Sequence, residues 1–215
     1  MREIASLVAA AVLLSIASAG LSLAQQAPQG AGAQAAGPGA GGRGPGGPPP
    51  PPFRIMSPDM VDGSLLPQQF TCAAGTAAVS PPLQWMNAPR GTLSFALIVH
   101  DMEPRPQKKL DDILHWMVWN IPATATKFPQ GVPSNTADLP DGSHQTNGNP
   151  GRGAITGYLP PCPPQNVPVL HHYAFDMFAL DTKVDLPDTA TRADLMKVMD
   201  GYILGHSSLV VPFNR

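Results

Sequence analysis

Leu93-Ser94-Phe95-Ala96-Leu97-Ile98-Val99, followed at once by His100-Asp101-Met102-Glu103-Pro104, is the stretch whose reading decides the fold. A nearly continuous apolar run of strand length, broken by one hydroxyl, reads as a buried strand. The acidic residues behind it mark the sheet rim. Side chains alternate along a strand, which predicts Asp101 and Glu103 on one side and His100 on the other. Further runs of strand length lie at Trp116 to Ile121, Tyr173 to Leu180 and Leu209 to Phe213, each bounded by Pro, Gly, Asn or Asp. Their irregular spacing and the long Pro/Gly-rich loops argue for a mostly β sandwich over alternating βαβ units. One segment reads as helix: Thr191 is its N-cap, and Leu195, Met196, Met199, Tyr202 and Ile203 recur at helical spacing up to Gly205. The stretch from Pro133 to Gly153 is long for a loop and is expected to rim a site.

The N-terminus reads as a targeting segment. Arg2 supplies a positive start, Leu7 to Ile16 an apolar run, and Ser22-Leu23-Ala24 a small-x-small pattern before Gln25. Residues 1–24 are therefore expected to be a secretory signal peptide, with an uncleaved anchor as the alternative. No cysteine follows the apolar run, so a lipid anchor is not expected. Residues 25–52 are almost entirely Gln, Ala, Gly and Pro, ending in Pro48 to Pro52. Such a stretch buries too little apolar surface to order itself and reads as a disordered linker that stiffens into polyproline II. Residues 53–215 remain as a single domain, large enough for a core of its own. After signal cleavage no transmembrane span is expected, and the mature protein is expected in the periplasm or secreted. With 13 Lys and Arg against 15 Asp and Glu, the net charge is -2. That balance excludes the basic footprint of a nucleic-acid partner or of binding to anionic membrane surfaces.

Four polar pieces carry the chemistry: Asp101-Met102-Glu103-Pro104, His115-Trp116, Pro161-Cys162-Pro163-Pro164 and His171-His172-Tyr173. Carboxylates, imidazoles and a phenol beside a proline-walled loop would form a small polar pocket. Imidazole and phenol groups can donate to phosphate oxygens, and carboxylates can orient the imidazoles. No histidine falls in a zinc spacing such as His-Glu-x-x-His, and no Gly-x-Ser-x-Gly elbow occurs, so no metal or other cofactor is expected.

In collinear order these pieces resemble the phosphatidylethanolamine-binding protein family, in its bacterial, Raf-kinase-inhibitor-like (YbhB/YbcL-type) branch. Phe70-Thr71-Cys72, Ser80-Pro81-Pro82-Leu83-Gln84-Trp85, Ala88 to Val99, His115 to Ala123, Gly157-Tyr158 and His171 through Asp181 extend the likeness over roughly residues 53 to 215. The resemblance implies a large antiparallel sheet packed on a smaller one with peripheral helices, including one near the C-terminus. It also implies a ligand-binding set of Asp101, Glu103, His115, His171, Tyr173, Pro163 and Tyr158. Cys72 and Cys162 fall in two of its motifs. In an exported chain they are expected to form a disulfide, with two free thiols as the alternative. Several residues depart from the family pattern. Met102 and Glu103 stand where relatives carry Pro and Asp, His172 replaces an arginine, and Leu159 and Pro160 replace two glycines. The last pair removes backbone freedom, and Pro160 removes an N–H, from a loop expected to face the anion.

The expected function is binding, without catalysis, of a phosphate-bearing small molecule or phospholipid head group, phosphoethanolamine-like, with modulation of an unidentified protein partner. The alternatives are a protein-interaction or inhibitor module with a vestigial pocket and, behind it, a metal-dependent phosphoester hydrolase.

Overall fold

The computed structural model describes residues 49–103, 112–147, 156–165 and 168–215. The signal-peptide reading and the linker up to residue 48 lie outside the described residues, as does the end of the Pro133–Gly153 stretch from residue 148. Among the described residues, eight strands fall in two antiparallel sheets. Strands β1 (Arg54–Met56), β2 (Leu83–Met86) and β5 (Lys127–Phe128) form a small sheet in the order β1-β2-β5. Strands β3 (Ser94–Asp101), β4 (Ile113–Pro122), β6 (His144–Thr146), β7 (His171–Leu180) and β8 (Ile203–Phe213) form a larger one, ordered β6-β4-β3-β7-β8.

The unbroken apolar run becomes β3, at the centre of the large sheet and buried along its whole length. It is covered on both faces, which is why it does not alternate in hydropathy. Phe95, Leu97 and Val99 pack toward the small sheet with Trp85, Trp116, Phe128 and Phe175. Ala96 and Ile98 pack on the other face with Trp119, Leu180, Leu195 and Met199. Leu195 and Met199 come from the helix α1 (Arg192–Met199). Each large side chain buried here is worth roughly 1.5–3 kcal/mol relative to exposure.

Thr191 caps α1 as expected, and Asp194 completes a capping box by accepting from the Thr191 backbone N–H. The helix stops at Met199, short of the helical spacing read through Ile203. Gly201 takes φ 85, the left-handed conformation that ends helices, and Tyr202 and Ile203 are about half exposed. Ile203 instead opens β8, opposite Leu180. That strand is six residues longer at its start than Leu209 suggested, because Gly205-His206-Ser207-Ser208 carries no apolar signal yet pairs with β7 throughout. Among the described residues, no helix is long and apolar enough to cross a membrane.

A β-bulge in β4 shapes the rim of the large sheet. Val99 pairs with Trp116 but His100 pairs with Leu114, so His115 is an extra residue in the ladder. The bulge switches the parity of the strand. Trp116 and Val118 face the inter-sheet core, yet Leu114 packs with the α1 face, and His115 between them turns toward the rim.

Candidate functional site

Three strand ends and one loop meet at the rim of the large sheet. The end of β3 supplies Asp101, which pairs with Ile113 at the start of β4 and with Tyr173 near the start of β7. The bulge supplies His115, and β7 opens with His171, two residues before Tyr173 and therefore on its face. The loop brings Cys162, Pro163 and Pro164. Together these eight residues line a cavity of about 190 Å³. That is below the roughly 300–1,000 Å³ of pockets for drug-sized molecules, and suits a small anion or a head group.

Cys72 and Cys162 are joined in a disulfide with a Cα–Cα distance of 5.3 Å. The Cys72 N–H also donates to the Pro161 carbonyl at 3.0 Å, so the proline loop is held to the short 3-10 turn at Cys72–Ala77 twice over.

Each imidazole in the wall has its tautomer set by a neighbour. His171 Nδ1 lies 2.8 Å from Asp101 Oδ2, which makes Nδ1 the donor. His115 Nδ1 lies 2.8 Å from the Leu159 carbonyl, which can only accept, so Nδ1 again carries the proton. The Leu159 N–H donates back to the His115 carbonyl at 2.8 Å. Leu159 is thus a bracing residue. Leu159 stands where the family pattern has a glycine whose N–H would face an anion, and here that N–H holds His115.

The Tyr173 hydroxyl is buried beside the Asp101 carboxylate, its nearest acceptor, but makes no bond of good hydrogen-bonding geometry among the described residues. Its ring meets His115 edge-on at 5.2 Å between centroids. Burial, reinforced by the nearby Asp101 charge, raises the pKa of this phenol, so it stays a donor. Burial also pushes the Asp101 carboxyl above its ordinary value, outweighing the opposing hydrogen bonds from His171 and the Glu103 N–H.

Five of the seven expected ligand residues, Asp101, His115, Pro163, His171 and Tyr173, do converge on the cavity. Glu103 and Tyr158 do not belong to its wall. Tyr158 lies in the core, its hydroxyl donating to the Phe70 carbonyl at 2.8 Å, and burial raises its pKa. Glu103 sits past the bend after β3 and grips His172: its carboxylate accepts from the His172 backbone N–H and, at 2.6 Å, from Nδ1. Burial alone would raise the Glu103 pKa, but these bonds to His172 hold it below its ordinary value. The imidazole that replaces the expected arginine therefore still braces the acidic corner, helped by Met102 N–H donating to the His172 carbonyl at 2.9 Å. Ile113, Cys162 and Pro164 complete the wall without having been expected as ligand residues. Cys162 and Pro164 were legible as neighbours of Pro163, whereas nothing local marked Ile113.

Two groups of side chains bring potential metal-ligand atoms within 4.8 Å of one another, Asp101 with Glu103 and His171, and Asp138 with His144 and Asp188. Both contain a carboxylate–imidazole pair, His171 with Asp101 and, at 2.7 Å, His144 with Asp138, while Glu103 is engaged by His172.

Comparison with known proteins agrees with this architecture. The family profile described as phosphatidylethanolamine-binding protein matches residues 56–214. The chain belongs to the phosphatidylethanolamine-binding protein family, in the bacterial branch that includes YbcL. A UPF0098 protein of Methanothermobacter thermautotrophicus is 36% identical over 154 residues, covering 72% of this chain and 93% of that protein. A Mycobacterium tuberculosis protein named as a lipoprotein, LppC, is 32% identical over 162 residues, covering 75% of this chain and 72% of LppC. Among solved structures, Escherichia coli YbcL superposes with a TM-score of 0.63 at 25% identity, covering 76% of this chain and 98% of YbcL. The Chlamydia trachomatis phosphatidylethanolamine-binding protein homologue CT736 gives the same TM-score and coverages at 27% identity.

Proposed function

We propose that the cavity binds the phosphate group of a small molecule or lipid head group, phosphoethanolamine-like in its chemistry. The observation that carries this reading is the buried Tyr173 hydroxyl, which lines the cavity and makes no bond of good hydrogen-bonding geometry among the described residues. A buried donor left with no more than a poorly aligned contact to Asp101 is costly, and a ligand oxygen in the cavity would satisfy it. His171 and His115, their Nδ1 protons already committed, line the same space. An ammonium on the ligand would meet Asp101 alone, since Glu103 is engaged by His172. The reading is binding without turnover, with modulation of a protein partner as a consequence of occupancy.

We further place the protein outside the cytoplasm, in the periplasm or secreted. A disulfide in the proline loop suits an oxidising compartment, and LppC, a relative, is named as a lipoprotein.

The test is calorimetry of the full chain with phosphoethanolamine and with inorganic phosphate. Tyr173→Phe, which deletes one hydrogen bond to a charged ligand, should weaken binding about 10- to 100-fold. His171→Ala should abolish it with the fold retained. Absence of binding by either ligand would sink the proposal and favour a surface-interaction module.

A further inference from the structure

Behind the cavity, on the α1 face of the large sheet, His100 touches two carboxylates at once. Its Nδ1 lies 2.5 Å from Asp112 Oδ2 and its Nε2 lies 3.0 Å from Asp176 Oδ2, with the side chain 9% exposed. A neutral imidazole has one N–H and one lone pair, so it can donate to only one of them. We infer that His100 is held as an imidazolium between Asp112 and Asp176 and acts as a pH-responsive positioning residue for the cavity wall on the opposite face. The part of this inference that concerns ligand affinity rests on the cavity being the binding site.

Neither carboxylate is a good alternative home for the proton. Burial would raise the Asp112 pKa, but hydrogen bonds from His100 and Arg192 bring it down to about 2. Asp176 is likewise lowered, against burial, by His100 and by the Ser208 hydroxyl at 2.5 Å. For His100 itself, burial disfavours the charged form, but the bonds to Asp112 and Asp176 outweigh it and raise the pKa above 6.5. The charged and titratable groups around it come from every neighbouring element described: Asp112 at the entry to β4, Asp176 on β7, Arg192 on α1, and His206 on β8, 3.4 Å from Asp176.

Sequence adjacency links this cluster to the cavity. His100 precedes Asp101, and Asp112 precedes Ile113; Asp101 and Ile113 are cross-strand partners and both line the cavity. The bulge that turns His115 inward follows within two residues of Ile113. The bond from His100 to Asp112 therefore ties together the two strand ends between which the wall is built. When the imidazolium loses a proton, one ring nitrogen presents a lone pair to a carboxylate oxygen at hydrogen-bond distance. The carboxylate facing that bare nitrogen, Asp112 at the entry to β4 or Asp176 on β7, is then repelled, and one of the two ties that His100 makes from β3 is lost. The sign follows from the raised pKa: both ties are complete below pH 6.5 and one is lost as pH rises through the folded-state value.

The experiment has two arms on the full chain. Long-range nitrogen–proton NMR of the His100 ring from pH 5 to 9 reads its protonation without any ligand. Both ring nitrogens should be protonated at pH 6.5, and the Asp101 and Ile113 amide shifts should follow the His100 titration. A ring with one bare nitrogen at that pH, or amides that ignore its titration, overturns the inference whatever the cavity binds. In the second arm, inorganic phosphate and phosphoethanolamine binding are measured across the same range for the native chain and His100→Gln. Glutamine should weaken binding about tenfold at pH 6 and remove the part of the pH profile that tracks His100. Superimposable profiles for native and variant chains would overturn the coupling, while loss of binding in the native chain at every pH would indict the cavity reading alone.

Discussion

Removing the disulfide offers a magnitude that can be worked from the structure. Cys72 and Cys162 are separated by 90 residues, so opening the bond frees a loop of that length in the unfolded chain. In the chain-entropy account, a loop of about 90 residues corresponds to about 15 cal/mol/K, or about 4.6 kcal/mol at 25 °C. Little of this should be lost from the native state, because the Cys72 N–H still donates to the Pro161 carbonyl and keeps the two turns side by side. The double variant Cys72→Ser/Cys162→Ser is therefore expected to stay folded but to unfold in urea at a midpoint lower by about 2 M, taking a slope of about 2 kcal/mol/M. Its slope should rise as well, since the unfolded chain without the cross-link exposes more surface. Phosphate binding in the absence of urea should survive, weakened, because Pro163 and Pro164 remain in the wall beside the altered Cys162. A stability loss below about 1 kcal/mol with an unchanged slope would refute the reasoning. It would mean that the unfolded chain keeps these turns together without the bond.

Three further outcomes are expected. His172→Ala should let the Glu103 carboxyl rise toward its ordinary 4.5, read by carboxylate NMR, because the bond to the imidazole is lost. Acid should destabilise the native chain more steeply than the Asp112→Asn variant. Asp112 has a folded pKa of about 2 against 3.8 unfolded, so its contribution is present above pH 3.8 and is lost as pH falls toward 2. The asparagine variant, less stable at neutral pH, should show a shallower decline of melting temperature with acid. Thr191→Ala removes the hydroxyl that caps α1 and should cost about 1 kcal/mol in chemical unfolding without touching phosphate affinity.

Much of this protein follows from residue order alone. The apolar run at Leu93–Val99 reads as a buried strand, and the structure buries it from Ser94 onward between the small sheet and α1, leaving Leu93 exposed. The helix start was legible because Thr191 and Asp194 interact locally. Its end was not, because Tyr202 and Ile203 continue the helical period while Gly201 breaks the backbone and the edge of β7 captures the next segment. Asp101, His115, His171, Tyr173 and Pro163 could be named as a set through the family resemblance that their motifs carry, and the structure brings all five to one cavity.

How those residues divide their work is a tertiary matter. Tyr158 and Glu103 carry the right chemistry in the right motifs, yet the Phe70 carbonyl takes the one's hydroxyl and His172 takes the other's carboxylate. A hydrogen bond depends on distance, and no local pattern records that residues 88 or 69 positions apart will meet. The same holds for the bulge at His115, which exists only as a mismatch between two strands, and for His100. Its sequence neighbours show only that it points away from Asp101. That two carboxylates from β7 and the entry to β4 close on its two nitrogens was decided by the packing of the sheet against α1.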